Sequence, residues 1–465
     1  MGSLAIDGLV SGLDTTTLIN NLMSIESQPQ TLLKSKVTTT QTLVSAFQSL
    51  NTSVASLASF AKKTALPAST DLFTATATAS SVSVSAGTGA SPGQIDLSVT
   101  SVAKGQVSVT AAQSHWPDSP ATFTIVKADG TKVELTAAST AISDIADAIN
   151  SSSAGVKASR IAAGTDSGSG DPLYRLQLSS SSTGAGSAFQ VFRGTAADVT
   201  AGTATNVLTA TGAATVATAS DASVTLWAGT AAEQVITSST NAFADILPGV
   251  TITVSKIETS PVSISVAKDT AGISSLASNL VANLTSVFNV IDSKSAVTPT
   301  VSSTGEAGTT AGVFTGNSTA RDVKSSVLTA ATAPVNGRSP SEIGITITRD
   351  GTVEYDAAKF TAALAADPAG TQAMFQTIAD RVAKAADDAS NQYTGRITQV
   401  ITGQQSSLTS LNDQISDWDV RLAAQRTGLE RTYSALEVSL SNLKAQSSWL
   451  TSQLAALTGS SGTTA

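Results

Sequence analysis

A branched aliphatic residue stands at every seventh position from Leu408 to Leu457: Leu408, Ile415, Leu422, Leu429, Leu436, Leu443, Leu450 and Leu457. That period is the signature of a long helix with a narrow apolar seam. Leu411 and Trp418 fill the second seam position of the first two heptads, after which it turns polar at Gln425, Thr432, Ser439, Gln446 and Gln453. With no Pro and only Gly428 in the stretch, the spacing predicts one continuous helix, about 75 Å long at ~1.5 Å per residue. Burying each aliphatic yields about 1.5–3 kcal/mol, whereas ordering the backbone costs on the order of 1–2 kcal/mol for every residue. The seam therefore needs partners. Two are open: the chain's own domain, or another molecule in an assembly.

The absence of Cys removes disulfides, thiolate nucleophiles and Cys–metal sites. Aromatic residues make up 4% and charged residues 13%, so large surfaces are built from Ala, Ser, Thr and Gly rather than from dense aromatic cores. A formal net charge of −8 argues against nucleic acid, which requires a basic face. Met1 to Leu9 has no basic start and no apolar run of signal-peptide length, and no stretch of some twenty apolar residues offers a membrane span. An exported protein without an ordinary cleaved signal, and without membrane insertion, is the expectation.

The chain begins with the Gly-punctuated segment Gly8-Leu9-Val10-Ser11-Gly12-Leu13-Asp14. Asp14 caps a predicted helix with Leu18, Leu22 and Ile25 as its apolar face, and Gln28-Pro29 breaks or restarts it. A second helical pattern runs through Leu33, Val37, Val44, Phe47, Leu50, Val54 and Leu57. From Phe73 the period changes to two, with strands at Val82–Val84, Ile95–Val99 and Val107–Val109. Phe123 to Leu135 reads as a hairpin about Asp129-Gly130, followed by a helix over Ser143–Asn150. Strands resume at Val156, Tyr174, Phe189, Val224, Val235, Gly249 and Val262, while Gly194 to Ser220 is loop or variable strand.

The helical period returns from Ile273 to Ile291. Thr298 to Gly312 reads as a Ser/Thr/Gly linker and Val323 to Thr329 as a short helix. Ile345 to Tyr355 reads as a hairpin, and Asp356 and Asp367-Pro368 start two further helices. The fold class is α+β multidomain, with long terminal helices forming a coiled-coil-like leg and an inserted β-rich two-domain head. The expected domains are a leg of residues 1–35 and 420–465, a helix-rich domain with a β-hairpin of 36–72 and 270–419, a β-rich head domain of 73–105 and 222–269, and a nested outer head domain of 106–221.

Catalytic signals are thin. His115 is the single His, so a multi-His metal site is impossible, and no nucleophile elbow or phosphate loop occurs. Asp166 to Asp171 lacks the acidic spacing of a calcium loop. No enzyme, cofactor or metal is expected.

The opening segment with Gly8, Gly12, Leu13 and Asp14, the following helix and Gln28-Pro29 resemble the N-terminal signature of the flagellar filament cap family, FliD or hook-associated protein 2. The resemblance continues through Pro92-Gly93, Leu247-Pro248-Gly249-Val250-Thr251, Gly344-Ile345, Asp367-Pro368, Trp418, Arg421-Leu422 and Tyr433. Phe123 to Asn150 is similar to a module shared by flagellins and cap proteins. The pattern departs at Gly194 to Ser220, and at Ser434-Ala435 where many relatives carry Gln-Phe. The resemblance implies a non-catalytic extracellular protein at the flagellum tip, exported by the flagellar secretion apparatus, that promotes flagellin polymerisation and prevents loss of monomers. It implies as partners further copies of the chain, about four to six in a ring, along with flagellin, the hook–filament junction protein and an export chaperone. Some members of the family also contact host mucus. Leu408, Ile415, Trp418, Leu422, Leu429, Leu436, Leu443 and Leu450 are the expected self-association and filament-docking residues. The rival classes are a flagellin or hook–filament junction protein, which lacks the N-terminal signature, and a secreted surface adhesin, which lacks the converging helical ends.

Overall fold

The computed structural model describes residues 12, 14–301 and 305–459; Gly8 and Leu13 lie outside them. The chain forms two compact units, one from its two ends up to Pro67 and from Ser274 onward, the other from Ala68 to Ile273.

In the helical unit, α1 (Thr15–Glu26) and α2 (Gln28–Thr64) are separated by Ser27 alone. Asp14 accepts a hydrogen bond from the Thr17 amide at 2.8 Å, satisfying one of the open donors at the helix start. Pro29 stands in the first turn of α2, where its missing N–H costs nothing. Val44, Phe47, Leu50, Val54, Leu57 and Ala61 are buried along one line of α2, as their spacing of three and four requires. In α1 the expected face is the wrong one. Leu18, Leu22 and Ile25 are exposed, whereas Thr15 and Ile19 are buried. The two lines lie one residue apart on the helix, and the neighbouring helix takes the Thr15–Ile19 line.

The β-rich unit contains β1 (Phe73–Ala77), β2 (Val82–Ala86), β3 (Gly93–Ser101), β4 (Val107–Val109), β5 (Thr122–Lys127), β6 (Lys132–Thr136), α3 (Ile142–Ser151), β7 (Val156–Thr165), β8 (Pro172–Ser180) and β9 (Phe189–Arg193). It continues through α4 (Ala196–Ala201), β10 (Thr205–Asn206), β11 (Ala214–Ala217), β12 (Ala222–Leu226), β13 (Gln234–Ser238), β14 (Ala242–Leu247), β15 (Val250–Val254) and β16 (Glu258–Lys268). A sheet ordered β1-β16-β3-β12-β13 and a sheet ordered β14-β15-β2 share one core around Leu97, Val99, Val224, Phe243, Ile252 and Ile264. The sheets β10-β9-β5-β6 and β11-β4-β8-β7, with α3, enclose a second core around Trp116, Phe123, Ile125, Ile145, Leu178 and Phe189. Everything in the second core comes from the chain between β3 and β12.

Two local expectations change here. The stretch from Gly194 to Ser220 is partly regular, because Thr195 and Asp198 form a capping box that starts α4 and Gly202 ends it in the left-handed conformation. Strand β14 has no counterpart in the sequence reading.

After α5 (Thr270–Ser295), the supposed linker is a hairpin of β17 (Val297–Val301) and β18 (Ala307–Ala311). Then follow α6 (Ser318–Thr332), the β19 (Ile345–Ile347) and β20 (Val353–Tyr355) hairpin, α7 (Ala357–Ala366), α8 (Pro368–Ser390) and α9 (Arg396–Gly459). Asp356 and Asp367 cap α7 and α8 through the amides of Lys359 and Gly370. Ring contacts between Phe47 and Phe314 at 4.9 Å, and between Phe360 and Phe375 at 5.8 Å, sit in the core of this unit. Helix α9 runs unbroken for 64 residues, about 95 Å, and Gly428 interrupts nothing.

Candidate assembly interface

The heptad residues all lie on α9, but they do not share one environment. Leu408, Leu411, Ile415, Trp418, Leu422 and Leu429 are half-buried, and Ile397 at the start of the helix is fully buried. α9 packs along this stretch against α2, with further contacts to α1 and α8. Beyond it, Leu436, Leu443 and Leu450 are 44%, 60% and 55% exposed. Every residue from Ser441 to Ala456 is exposed. Val438, Trp449 and Leu454 add to the apolar surface of this outer half.

A polar clasp holds the packed half. Gln30, buried in the first turn of α2, donates its side-chain amide to Asp419 Oδ1 at 2.5 Å and reaches the Ile415 carbonyl at 3.4 Å. Lys34 Nζ donates to the Gln30 carbonyl oxygen at 3.1 Å, so both ends of the amide are used. The Arg421 guanidinium lies 4.7 Å from the Trp418 ring centre, covering its exposed side. The sequence reading missed Gln30 and Asp419. Their only signal was adjacency to Pro29 and Trp418, residues that had been singled out for other reasons.

Of the N-terminal motif, Asp14 is the cap of α1 and Gly12 takes a positive φ of 72° with no neighbour within 4 Å of a Cβ there. Only Gly is free of strain in that conformation. His115 is exposed, with Ser114 Oγ 2.9 Å from its Nδ1. The Asp166 loop closes on itself, its carboxylate accepting from the Gly168 and Ser169 amides, which hold it below the usual carboxylate range. Among the described residues no cluster of three or more His, Asp or Glu is placed to hold a metal, and no helix is long and apolar enough to cross a membrane.

What these elements can do is bind helices. Helical ends with an inserted β-rich head define an α+β multidomain protein of the flagellar type. The profile for the N-terminus of flagellar hook-associated protein 2 matches residues 11–106, that for its C-terminus matches 219–445, and the flagellin hook IN motif matches 122–182. The chain belongs to the flagellar hook-associated protein 2 family. A flagellar hook-associated protein 2 of Escherichia coli is 25% identical over 97% of this chain and 98% of its own length. The B-type flagellar hook-associated protein 2 of Pseudomonas aeruginosa is 28% identical over the same shares. A crystal structure of three domains of the flagellar cap protein FliD from Escherichia coli shares the fold, with a TM-score of 0.55 at 21% identity, covering 77% of this chain and 99% of that one.

Proposed function

We propose that this protein caps the distal end of a bacterial flagellar filament, promoting flagellin polymerisation and keeping flagellin monomers from escaping. Membership of the hook-associated protein 2 family carries the reading, and the exposed outer half of α9 supplies its physical means. The protein acts from outside the cell, at the filament tip, without covalent chemistry or cofactor.

In this proposal the segments 1–35 and 420–465 form a leg, and Leu436, Leu443 and Leu450 complete a seam with neighbouring copies and with the helices of the last flagellin subunits. Subunits gather in a ring of about four to six. The hook–filament junction protein supports the first cap and an export chaperone holds the chain before secretion. The residues 73–105 with 222–269, and the nested 106–221, form the head over the growing end. Polar positions Gln425, Thr432, Ser439 and Gln446 weaken the grip relative to a fully apolar seam, which suits a cap that shifts as each subunit is added.

The test is complementation of a strain of the source bacterium that lacks this chain. The full-length protein should restore filament growth and stop the release of flagellin into the medium. A chain ending at Ala435 keeps the packed half of α9 and should restore neither. Equal restoration by the shortened chain would remove the outer half from the mechanism.

A further inference from the structure

We infer that the outer edge of β18 pairs antiparallel with the same edge of a second copy of this chain, forming an interface separate from the α9 seam. Strands β17 and β18 make a two-stranded sheet in which Val297 faces Ala311 and Val301 faces Ala307, and all ten residues are exposed. A two-stranded hairpin on its own is marginal in water and gains stability from a further strand.

The phase of the hydrogen bonds shows which groups are available. The Gly312 amide donates to the Ala296 carbonyl at 2.9 Å. Antiparallel pairs alternate between exchanging both main-chain bonds and exchanging neither. Thr298 with Thr310, and Thr300 with Gly308, are therefore the internal pairs, and Thr298 Oγ1 also donates to the Thr310 carbonyl at 3.4 Å. The main-chain groups of Val297, Pro299 and Val301 point outward on one edge, and those of Ala307, Thr309 and Ala311 on the other. The two edges are unequal. Pro299 has no N–H, which blunts the β17 edge in the way edge strands are commonly protected. No Pro and no charge interrupts Ala307-Gly308-Thr309-Thr310-Ala311.

The β18 edge is also matched to itself. Antiparallel pairing centred on Thr309 sets Thr309 against its own copy and Ala307 against Ala311, all as outward-facing pairs. No charge meets its own sign, and a cross-strand Thr–Thr pair is favourable. The result is a closed four-stranded sheet, ended on both sides by Pro299, so pairing stops at two copies and does not propagate.

The chain has no Cys, so a single introduced thiol reports directly. In the paired sheet the two Thr309 Cα atoms stand ~5.5 Å apart, within the range a disulfide spans. Oxidised full-length Thr309→Cys should run mostly as a covalent dimer. Thr300→Cys, on the far strand, should not. Absence of the Thr309→Cys dimer, or equal cross-linking of both variants, overturns the pairing. Seam and hairpin are separated in a Leu443→Asp, Leu450→Asp background, where light scattering should still find dimers. Adding Thr309→Lys places two like charges face to face and should return monomers, and ~1 M salt, which screens charge, should restore dimers. Dimers unaffected by Thr309→Lys overturn the assignment.

Discussion

The two halves of α9 carry the same heptad and meet opposite fates. From Leu408 to Leu429 the seam lies half-buried against α2 and α1, clasped by Gln30 and Asp419. From Leu436 to Leu454 the same kind of leucine stands in solvent. A heptad therefore reports that a helix needs a partner and says nothing about whose helix that is. Both readings of the repeat hold, each for one half: the inner half folds against its own chain, and the outer half is left for assembly. The boundary falls where α1 ends its run along α9, near Leu436.

The largest test of that division is on the outer half. Leu443→Asp with Leu450→Asp would bury charges in any seam formed with another molecule, which is costly unless they are paired. Light scattering at high protein concentration should show loss of seam-dependent assembly, while the melting temperature of the monomer stays unchanged. A lowered melting temperature would mean that the outer half already packs within its own chain, and the division would be broken.

Next in size is a deletion at the root of the inner half. Ile397 is fully buried, so Ile397→Ala should cost about 2–5 kcal/mol in urea denaturation. Leu450→Ala, on the exposed outer half, should stay within about 0.5 kcal/mol. Equal losses at the two sites would erase the contrast. A smaller effect is expected at the clasp. Gln30→Ala leaves the buried contact to Asp419 and Ile415 unmade, and should cost roughly 1–3 kcal/mol. If Gln30→Ala changed oligomer size without changing monomer stability, the clasp would belong to assembly and the boundary would move inward.

What could be read before the structure divides along a physical line. The caps Asp14, Asp356 and Asp367 were legible because capping is a contact with the next few residues. The β5–β6 hairpin about Gly130 and the extent of α9 were legible because period and turn chemistry are local as well. The facing of α1 was not. Leu18, Leu22, Ile25 and Ile19 all suit an apolar face, and only the position of α9 selects Ile19. Strands β17 and β18 escaped because Thr, Ala and Gly carry little alternation of hydropathy. Of the candidate interface, the leucines could be named but not sorted into inner and outer sets, and Gln30 was hidden because burial of a polar residue depends on a partner distant in sequence.

The smallest effect lies in the β-rich unit and checks that the contrast within α9 is confined to the helices. Arg193 donates to both carboxylate oxygens of Asp118, at 2.7 and 2.6 Å. This hydrogen bonding holds the Asp118 carboxyl below its ordinary range. An unfolded Asp titrates near ~3.9, so in the window just below that value the unfolded chain binds more protons than the folded one. Stability from the pair is then complete above the unfolded pKa, and is lost as pH falls through the lower folded value. Both side chains are about a third or more exposed, which keeps the contribution under ~1 kcal/mol at neutral pH. Asp118→Asn should be less stable than the unsubstituted chain by that small amount at pH 7 in urea melts followed by tryptophan fluorescence. The gap should close on acidification through the window, and oligomer size at pH 7 should not change. A gap that persisted at low pH would assign the effect of the substitution to packing beside Trp116 instead of to the ion pair. A changed oligomer size would show that the head contributes to assembly, and α9 would no longer be its sole determinant.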